Sequence, residues 1–120
     1  MTTGLLVARV DMFHVGHLDL IRQLAERFER VVVAVVRDED VQEIAAPVIP
    51  FAERFDIVAS VRGVDLVVAA DAELIAGVGA DQVLAGEQGI PGWIAVDEWL
   101  TPRTTANAAL ARTSAGRIVA

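Results

Sequence analysis

Apolar residues in this chain fall into short unbroken runs separated by stretches of helical spacing. The first run, "GLLVARV" (Gly4 to Val10), has the length of a strand. From Gly16 to Arg30 the apolar positions are Leu18, Leu20, Ile21, Leu24, Ala25 and Phe28, a spacing that predicts a helix. "RVVVAVV" (Arg30 to Val36) is β-branched and unalternated, as expected of a near-central strand covered on both faces of a parallel sheet. "RDEDVQEIAAPVIP" reads as a loop carrying four acidic residues and two prolines. A helix is predicted from Phe51 to about Arg62, its entry set by Pro50. "VDLVVAA" and "DQVLAG" then predict strands on either side of a short helix, "DAELIAGVG", stopped by Gly77 and Gly79. "EQGIPGW" reads as a turn-rich loop, "WIAVDEW" as the last strand and Thr104 to Arg112 as a closing helix.

Strands alternating with helices imply right-handed βαβ units, hence an α/β fold with a mostly parallel, five-stranded, doubly wound sheet flanked by helices. The length of 120 residues suits one domain, 1–120. Hydrophobic residues make up 54%, enough for a real core, while a formal net charge of −7 argues against nucleic acid as the partner. Any anionic ligand must therefore meet local positive charge. All ten basic residues are Arg, a bias for which GC-rich coding is favoured over a need for forked donors. With no Cys there is no disulfide, no thiolate metal site and no cysteine nucleophile. The first residues carry no basic leader, and their apolar run is broken by Arg9 and Asp11, so neither a signal peptide nor a membrane span is predicted. A cytoplasmic location, without a membrane partner, is the expectation.

In doubly wound sheets ligands bind beyond the carboxyl ends of the strands, where the winding reverses. The loop after the first strand is "DMFHVGH", which holds both histidines of the chain. His14 lies in that loop and His17 in the first turn of the following helix, with Gly16 between them allowing close backbone approach. Helix-start amides bind anions, and two imidazoles beside them can donate hydrogen bonds to a phosphate as it gathers charge. A metal site is the competing chemistry, but the two histidines and Asp11 lack the usual ligand spacing, and no further His or Cys could complete a zinc site. Capping or core packing accounts for the same histidines without any ligand.

These residues resemble a known family. "HVGH" matches the His-x-Gly-His signature of the nucleotidyltransferase superfamily, and Asp11 stands where that family's Gly-Thr-Phe-Asp places its aspartate. "GHLDLIRQLAERFERVVVAVVRDED" is similar to its first helix and second strand, and "PVIPFAERFDIVASVRGVDLVV" to its "P…E-x-R…VD-x-V" block. "ELIAGVGADQVLAGEQ" resembles the fourth-strand region of cytidylyltransferases acting on glycerol 3-phosphate or sugar phosphates. About three quarters of the chain is covered in the right order, far more than a four-residue motif supplies by chance.

The resemblance implies a Rossmann-like fold and transfer of a nucleotidyl group, cytidylyl from CTP above all, to a small phosphorylated or phosphonate acceptor with release of pyrophosphate. His14 and His17 would hold and neutralise the triphosphate, and Asp11 would organise the site around Mg²⁺. Arg9, Val10, Gly16, Gly86, Glu87, Arg103 and Thr104 match nucleotide-binding positions. Arg54 and Arg62 match arginines associated with acceptor phosphates, and a homodimer is implied through the region Arg62 to Asp65. Each has a plainer alternative: Asp11 as a turn cap, Arg54 as a solvated or paired surface residue, Arg62 paired with Asp65, Trp93 and Trp99 as core or interface aromatics.

The departures from the family pattern are specific. The lysines that usually follow the second strand are absent, and Asp38, Glu39, Asp40 and Glu43 would repel a triphosphate if they faced it. The family's Gly-Thr-Phe is replaced by Ala8, Arg9 and Val10, where Arg9 can supply positive charge. "PRTTANAAL" keeps Arg103 and Thr104 but puts alanines for the later glycine and hydroxyls. These changes keep a second function open, a non-catalytic nucleotide- or partner-binding protein; a third, an ATP-using adenylyltransferase, differs only in base and acceptor, which the sequence around Gly86 does not decide.

Overall fold

The computed structural model of the chain describes residues 1–40, 47–87, 89–101 and 103. Its strands are β1 (Thr3–Ala8), β2 (Arg30–Val35), β3 (Leu66–Ala69), β4 (Gln82–Ala85) and β5 (Glu98–Trp99), and its helices are α1 (Val15–Arg27), α2 (Phe51–Ala59) and α3 (Ala72–Val78). A short 3-10 turn, Asp38–Asp40, lies between β2 and α2. All strand pairs are parallel, in the order β3-β2-β1-β4-β5, so β1 is central and the winding reverses beside it. This is the Rossmann-like doubly wound sheet the alternating pattern predicts.

Every residue of β1 is buried, which explains its unalternated apolar sequence. On one face, Leu6, Ala8, Val31, Val33 and Val35 pack with Leu20, Ile21 and Leu24 of α1 and Val58 of α2. On the other, Leu5, Val7, Val32 and Ala34 pack with Ile75 and Val78 of α3 and with the buried Ile94. Among the described residues no helix is long and apolar enough to cross a membrane.

The entering edge of the sheet is closed by one device used three times. Asp65, Asp81 and Asp97 each stand one residue before a strand, and their carboxylates accept the amides of Val31 (2.7 Å), Thr3 (2.7 Å) and Val83 (2.8 Å) on the adjacent strand. Their own amides donate back to the carbonyls of the same three residues. Each aspartate thus satisfies a strand-start donor that the ladder cannot reach. Asp65 is therefore engaged with β2, and its hydrogen bond goes to Val31 where the sequence suggested Arg62.

Several element ends differ from expectation. β1 stops at Ala8 because Val10 takes a left-handed backbone (φ 49°). α1 ends at Arg27, with Phe28 extended, so that Arg30 can open β2. α2 ends at Ala59, and Gly63 (φ 100°) turns the chain into β3. The predicted strand Trp93 to Trp99 is a strand only at Glu98–Trp99; Pro91 accepts the amide of Ile94 in a turn, which excludes the preceding residues from the ladder. Trp93 and Trp99 are half exposed, not core residues. The predicted helix Thr104 to Arg112 and the residue Thr104 lie outside the described residues, as does Glu43.

Candidate functional site

The loop from Arg9 to His14 leaves the carboxyl end of the central strand and enters α1. Its backbone is held in an uncommon form, with both Val10 (φ 49°) and Met12 (φ 50°) in the left-handed region. Such a conformation is costly for a β-branched residue and persists only where its surroundings enforce it. Three side chains, two from elsewhere in the fold and one from the loop itself, supply that enforcement.

The first is Arg54, which is fully buried. Its Nε donates to the Ile49 carbonyl (2.9 Å), Nη1 to the Arg9 carbonyl (2.6 Å) and Nη2 to Asp38 Oδ1 (2.6 Å). Asp38 Oδ2 in turn accepts the Phe51 amide at the start of α2 (3.2 Å). Arg54 is thus an internal clasp, neither a solvated surface residue nor a cation open to ligand. Of the acidic residues after β2, Asp38 is paired with Arg54, although its side chain stays exposed.

Asp11 is the second. Its two carboxylate oxygens accept the amides of Val48 and Ile49, each at 2.9 Å, which fastens the loop to the chain before α2. Slight burial pushes this carboxyl upward, but those two amides and the nearby charges of Arg54 and Arg9 outweigh it and hold Asp11 below its ordinary value. Among the described residues no cluster of three or more His, Cys, Asp or Glu side chains that could hold a metal occurs. Mg²⁺ bound chiefly through phosphates and water needs only one or two carboxylates, and an ionised Asp11 with lone pairs to spare fits that demand.

The third is Glu87, just past the end of β4. One carboxylate oxygen accepts the amides of Arg9 and of Val10 (3.0 Å), and the other lies 3.0 Å from His17 Nε2. Burial raises the Glu87 carboxyl, yet the hydrogen bonds from His17 and the two loop amides more than compensate and leave it below the ordinary value.

At the start of α1 the two histidines cap the helix together. His14 is the N-cap residue: its Nδ1 accepts the Gly16 amide (2.9 Å), while His17 Nδ1 accepts the amide of His14 (3.2 Å). This is a capping box built from imidazoles in place of the usual hydroxyl and carboxylate. The rings stack with centroids 4.1 Å apart. His17 is buried and His14 exposed. Burial, and then the neighbouring His17, lower the pKa of His14, with Glu87 opposing, so the neutral ring is favoured. Gly16 is required because a Cβ there would come within 2.6 Å of His14 Cε1.

The other expected residues divide. Gly86 packs under α1, where a Cβ would meet Leu20 at 2.7 Å and the Leu100 carbonyl at 3.3 Å. Arg9 lies against Gly89, whose added Cβ would approach Arg9 Cδ within 2.9 Å, and Arg9 Nε is buried without an acceptor among the described residues. Arg103 pairs with Glu26 (3.3 Å) and Asp19 (3.6 Å) on the outer side of α1. Arg62 is exposed in the turn between α2 and β3, at the entering edge of the sheet and so at the opposite end from the histidines. Within one chain the fold assembles Arg9, Val10, Asp11, His14, Gly16, His17, Arg54 and Glu87, and leaves Arg62 and Arg103 apart. Gly89 is the residue that sequence reasoning passed over; its positive φ (81°) beside Arg9 has no motif to announce it.

Comparison with known proteins agrees with this geometry. Residues 5–108 match the model of the family described as cytidylyltransferase-like. The chain is 34% identical over 71 residues to the bifunctional protein HldE of Granulibacter bethesdensis, covering 57% of this chain and 15% of that protein. It is 36% identical over 92 residues to the bifunctional protein HldE of Halorhodospira halophila, covering 71% of this chain and 19% of that one. The chain thus spans less than a fifth of the length of these relatives. The crystal structure of the lipopolysaccharide core biosynthesis protein from Thermoplasma volcanium GSS1 matches with a TM-score of 0.67, over 99% of this chain and 92% of its own, at 16% identity, a likeness of fold. The motif order, the doubly wound sheet and the match over residues 5–108 together make this chain a member of the cytidylyltransferase-like family of nucleotidyltransferases.

Proposed function

We propose that the chain transfers a nucleotidyl group, cytidylyl from CTP with adenylyl from ATP as the alternative, to a small phosphorylated or phosphonate acceptor. The observation that carries this reading is the stacked pair of His14 and His17 at the N-terminus of α1, beyond the carboxyl end of the central strand. A helix start and an imidazole donor suit a phosphate chain that gains charge in the transition state. An oxygen of the acceptor phosphate attacks the α-phosphorus, the bond from that phosphorus to the oxygen bridging it to the β-phosphorus breaks, and pyrophosphate leaves with the electron pair. The chain's own task is to position and neutralise, and no covalent enzyme intermediate is needed. Arg9, with its buried Nε lacking an acceptor, would offer the cation that no lysine supplies here. Mg²⁺, held by Asp11 and the triphosphate, would supply further charge neutralisation.

The proposal includes a cytoplasmic homodimer formed along the β3 edge, where Leu66 and Ile57 are partly exposed (37% and 42%). Light scattering at micromolar protein tests the dimer, and a monomer would contradict it. A second reading, nucleotide binding without transfer, is favoured by the complete absence of lysine. Pyrophosphate release with Mg²⁺, run with CTP and ATP against phosphorylated alcohols, sugars and phosphonates, separates the two. Release requiring one nucleotide and one acceptor class supports transfer; nucleotide binding with no release across the panel supports the second.

A further inference from the structure

Nucleotidyl transfer brings two anions together, a triphosphate and the phosphate or phosphonate that attacks it, and like charges at that distance repel unless cations lie beside them. A chain with a formal net charge of −7 must find those cations locally. The start of α1 serves the triphosphate. The resemblance gives the acceptor to Arg54 and Arg62, and within one chain the fold makes neither available. Arg54 is fully buried with all three guanidinium nitrogens engaged, and Arg62 lies at the entering edge of the sheet.

The other arginines among the described residues narrow the choice. Arg27 and Arg103 are paired with Glu98 and Glu26, Arg30 opens β2 at the entering edge, and Arg22 sits in the middle of α1. Arg9 and Arg37 remain, each just past the carboxyl end of its strand. Arg37 leads straight into the acidic turn Asp38–Asp40. Arg9 has no such neighbour bonded to it: its charge reaches Asp11, but both oxygens of that carboxylate are taken up by the amides of Val48 and Ile49.

Arg9 also has a seat built for it. It follows Leu5 and Val7 on the face of the sheet opposite α1, and its side chain lies against Gly89, next to Ile90, which packs on that same face. A Cβ at position 89 would stand 2.9 Å from Arg9 Cδ and 3.2 Å from Nη1, so the glycine, at a φ of 81°, keeps the slot open. Within the slot Nε is buried without an acceptor, whereas neither Nη is a buried orphan and neither has a hydrogen-bond partner among the described residues. An unpaired buried donor is disfavoured in the free protein, and an anion at the fork offsets that cost. A guanidinium with its stem fixed and its forked end unpaired suits two oxygens of one phosphate.

We propose that Arg9, seated in the slot that Gly89 keeps open, binds the phosphate or phosphonate of the acceptor, which meets the triphosphate over the end of β1. The nature of the anion rests on the nucleotidyl-transfer reading; the anion seat does not.

Arginine side-chain ¹⁵N NMR of the full chain, titrated with inorganic phosphate first alone and then with Mg²⁺ and the α,β-methylene analogues of CTP and ATP, reads the seat directly. The Arg9 Nε resonance is identified by its loss in Arg9→Lys. The expected result is a saturating shift of that resonance, with phosphate affinity lowered by about tenfold in Arg9→Ala, the scale of one lost hydrogen bond to a charged group. Arg9→Lys should recover part of the loss, and Arg37→Ala should bind phosphate as the wild type does. Nucleotide-analogue affinity should be the same in all four proteins. An Arg9 resonance that ignores phosphate overturns the proposal, as does phosphate binding that depends on Arg37 instead. Equal loss of phosphate and nucleotide binding in Arg9→Ala would place this arginine on the triphosphate and overturn it too. A responsive Arg9 in a chain that releases no pyrophosphate with any acceptor would sink the transfer reading and leave the anion seat standing.

Discussion

The buried guanidinium of Arg54 donates from Nη1 to the main-chain carbonyl of Arg9 at 2.6 Å, joining α2 to the loop that carries Asp11 and the histidines. All three guanidinium nitrogens have partners inside the protein. Replacing Arg54 by Ala would leave two carbonyls without their donor and the exposed Asp38 without its partner, with an expected loss of about 2–4 kcal/mol, chiefly from the carbonyls. Arg54→Lys, a single point donor in place of a fork, should recover only part of that. Urea unfolding measures both; a Lys variant as stable as the wild type would contradict the three-way clasp.

Gly16→Ala separates stability from binding. Alanine favours a helix by about 1 kcal/mol over glycine, so the helix itself gains. The new Cβ, however, falls within 2.6 Å of the His14 ring and must displace it. The expected variant is folded, close to wild-type stability, and impaired in nucleotide binding. Calorimetric titration with CTP and with ATP checks this; unaltered binding would remove His14 from the site.

Much of this arrangement is legible in the sequence, and the parts that are not share a cause. Unalternated β-branched runs announced the parallel strands because burial on both faces removes any need for polar alternation. His-x-Gly-His announced the site because Gly16 and His14 must fit one another locally. Arg54 reads in the sequence as a match to an acceptor-phosphate arginine, with a solvated or paired surface residue as the plainer alternative; its internal clasp is not legible because its partners, Asp38 and the carbonyls of Arg9 and Ile49, converge only in the folded chain. The repeated Asp before a strand is visible in "VDL", "ADQ" and "VDE", but its acceptor role depends on a neighbouring strand and is not legible in the local sequence. Trp93 to Asp97 has the composition of a strand, yet the turn at Pro91 denies it a ladder partner.

Those edge aspartates give a prediction of their own. Asp81→Ala removes the acceptor of the Thr3 amide, and the expected cost is about 1 kcal/mol. Asp81→Asn keeps an acceptor oxygen and should retain most of the stability. Hydrogen exchange at the Thr3 amide, with thermal melts of both variants, tests the pair; equal behaviour of Ala and Asn would show that the carbonyl side of the exchange suffices.

Acid should weaken the fold through the site carboxylates. Glu87 sits below its ordinary value of 4.5, burial raising it but His17 and the loop amides lowering it further, and Asp11 sits below 3.8 for the corresponding reason. A group depressed on folding contributes stability that is fully present above its unfolded value and disappears as pH falls through the folded one. The stability difference between wild type and Glu87→Gln should therefore be largest near neutrality and shrink as pH falls below 4.5. Melting both proteins across that range measures it. A difference independent of pH would mean that the charge of Glu87 contributes nothing.

The account turns on whether the phosphate-facing helix start transfers a nucleotidyl group. The direct measurement is ³¹P NMR of the chain with Mg²⁺, CTP or ATP and a panel of phosphorylated and phosphonate acceptors, with His14→Ala alongside. The account predicts a new phosphorus–oxygen–phosphorus linkage between acceptor and nucleotide, appearing together with pyrophosphate and lost in the variant. Unchanged spectra, from a folded chain whose His14 resonance responds to nucleotide, would contradict it and leave a nucleotide-binding protein on a transferase fold.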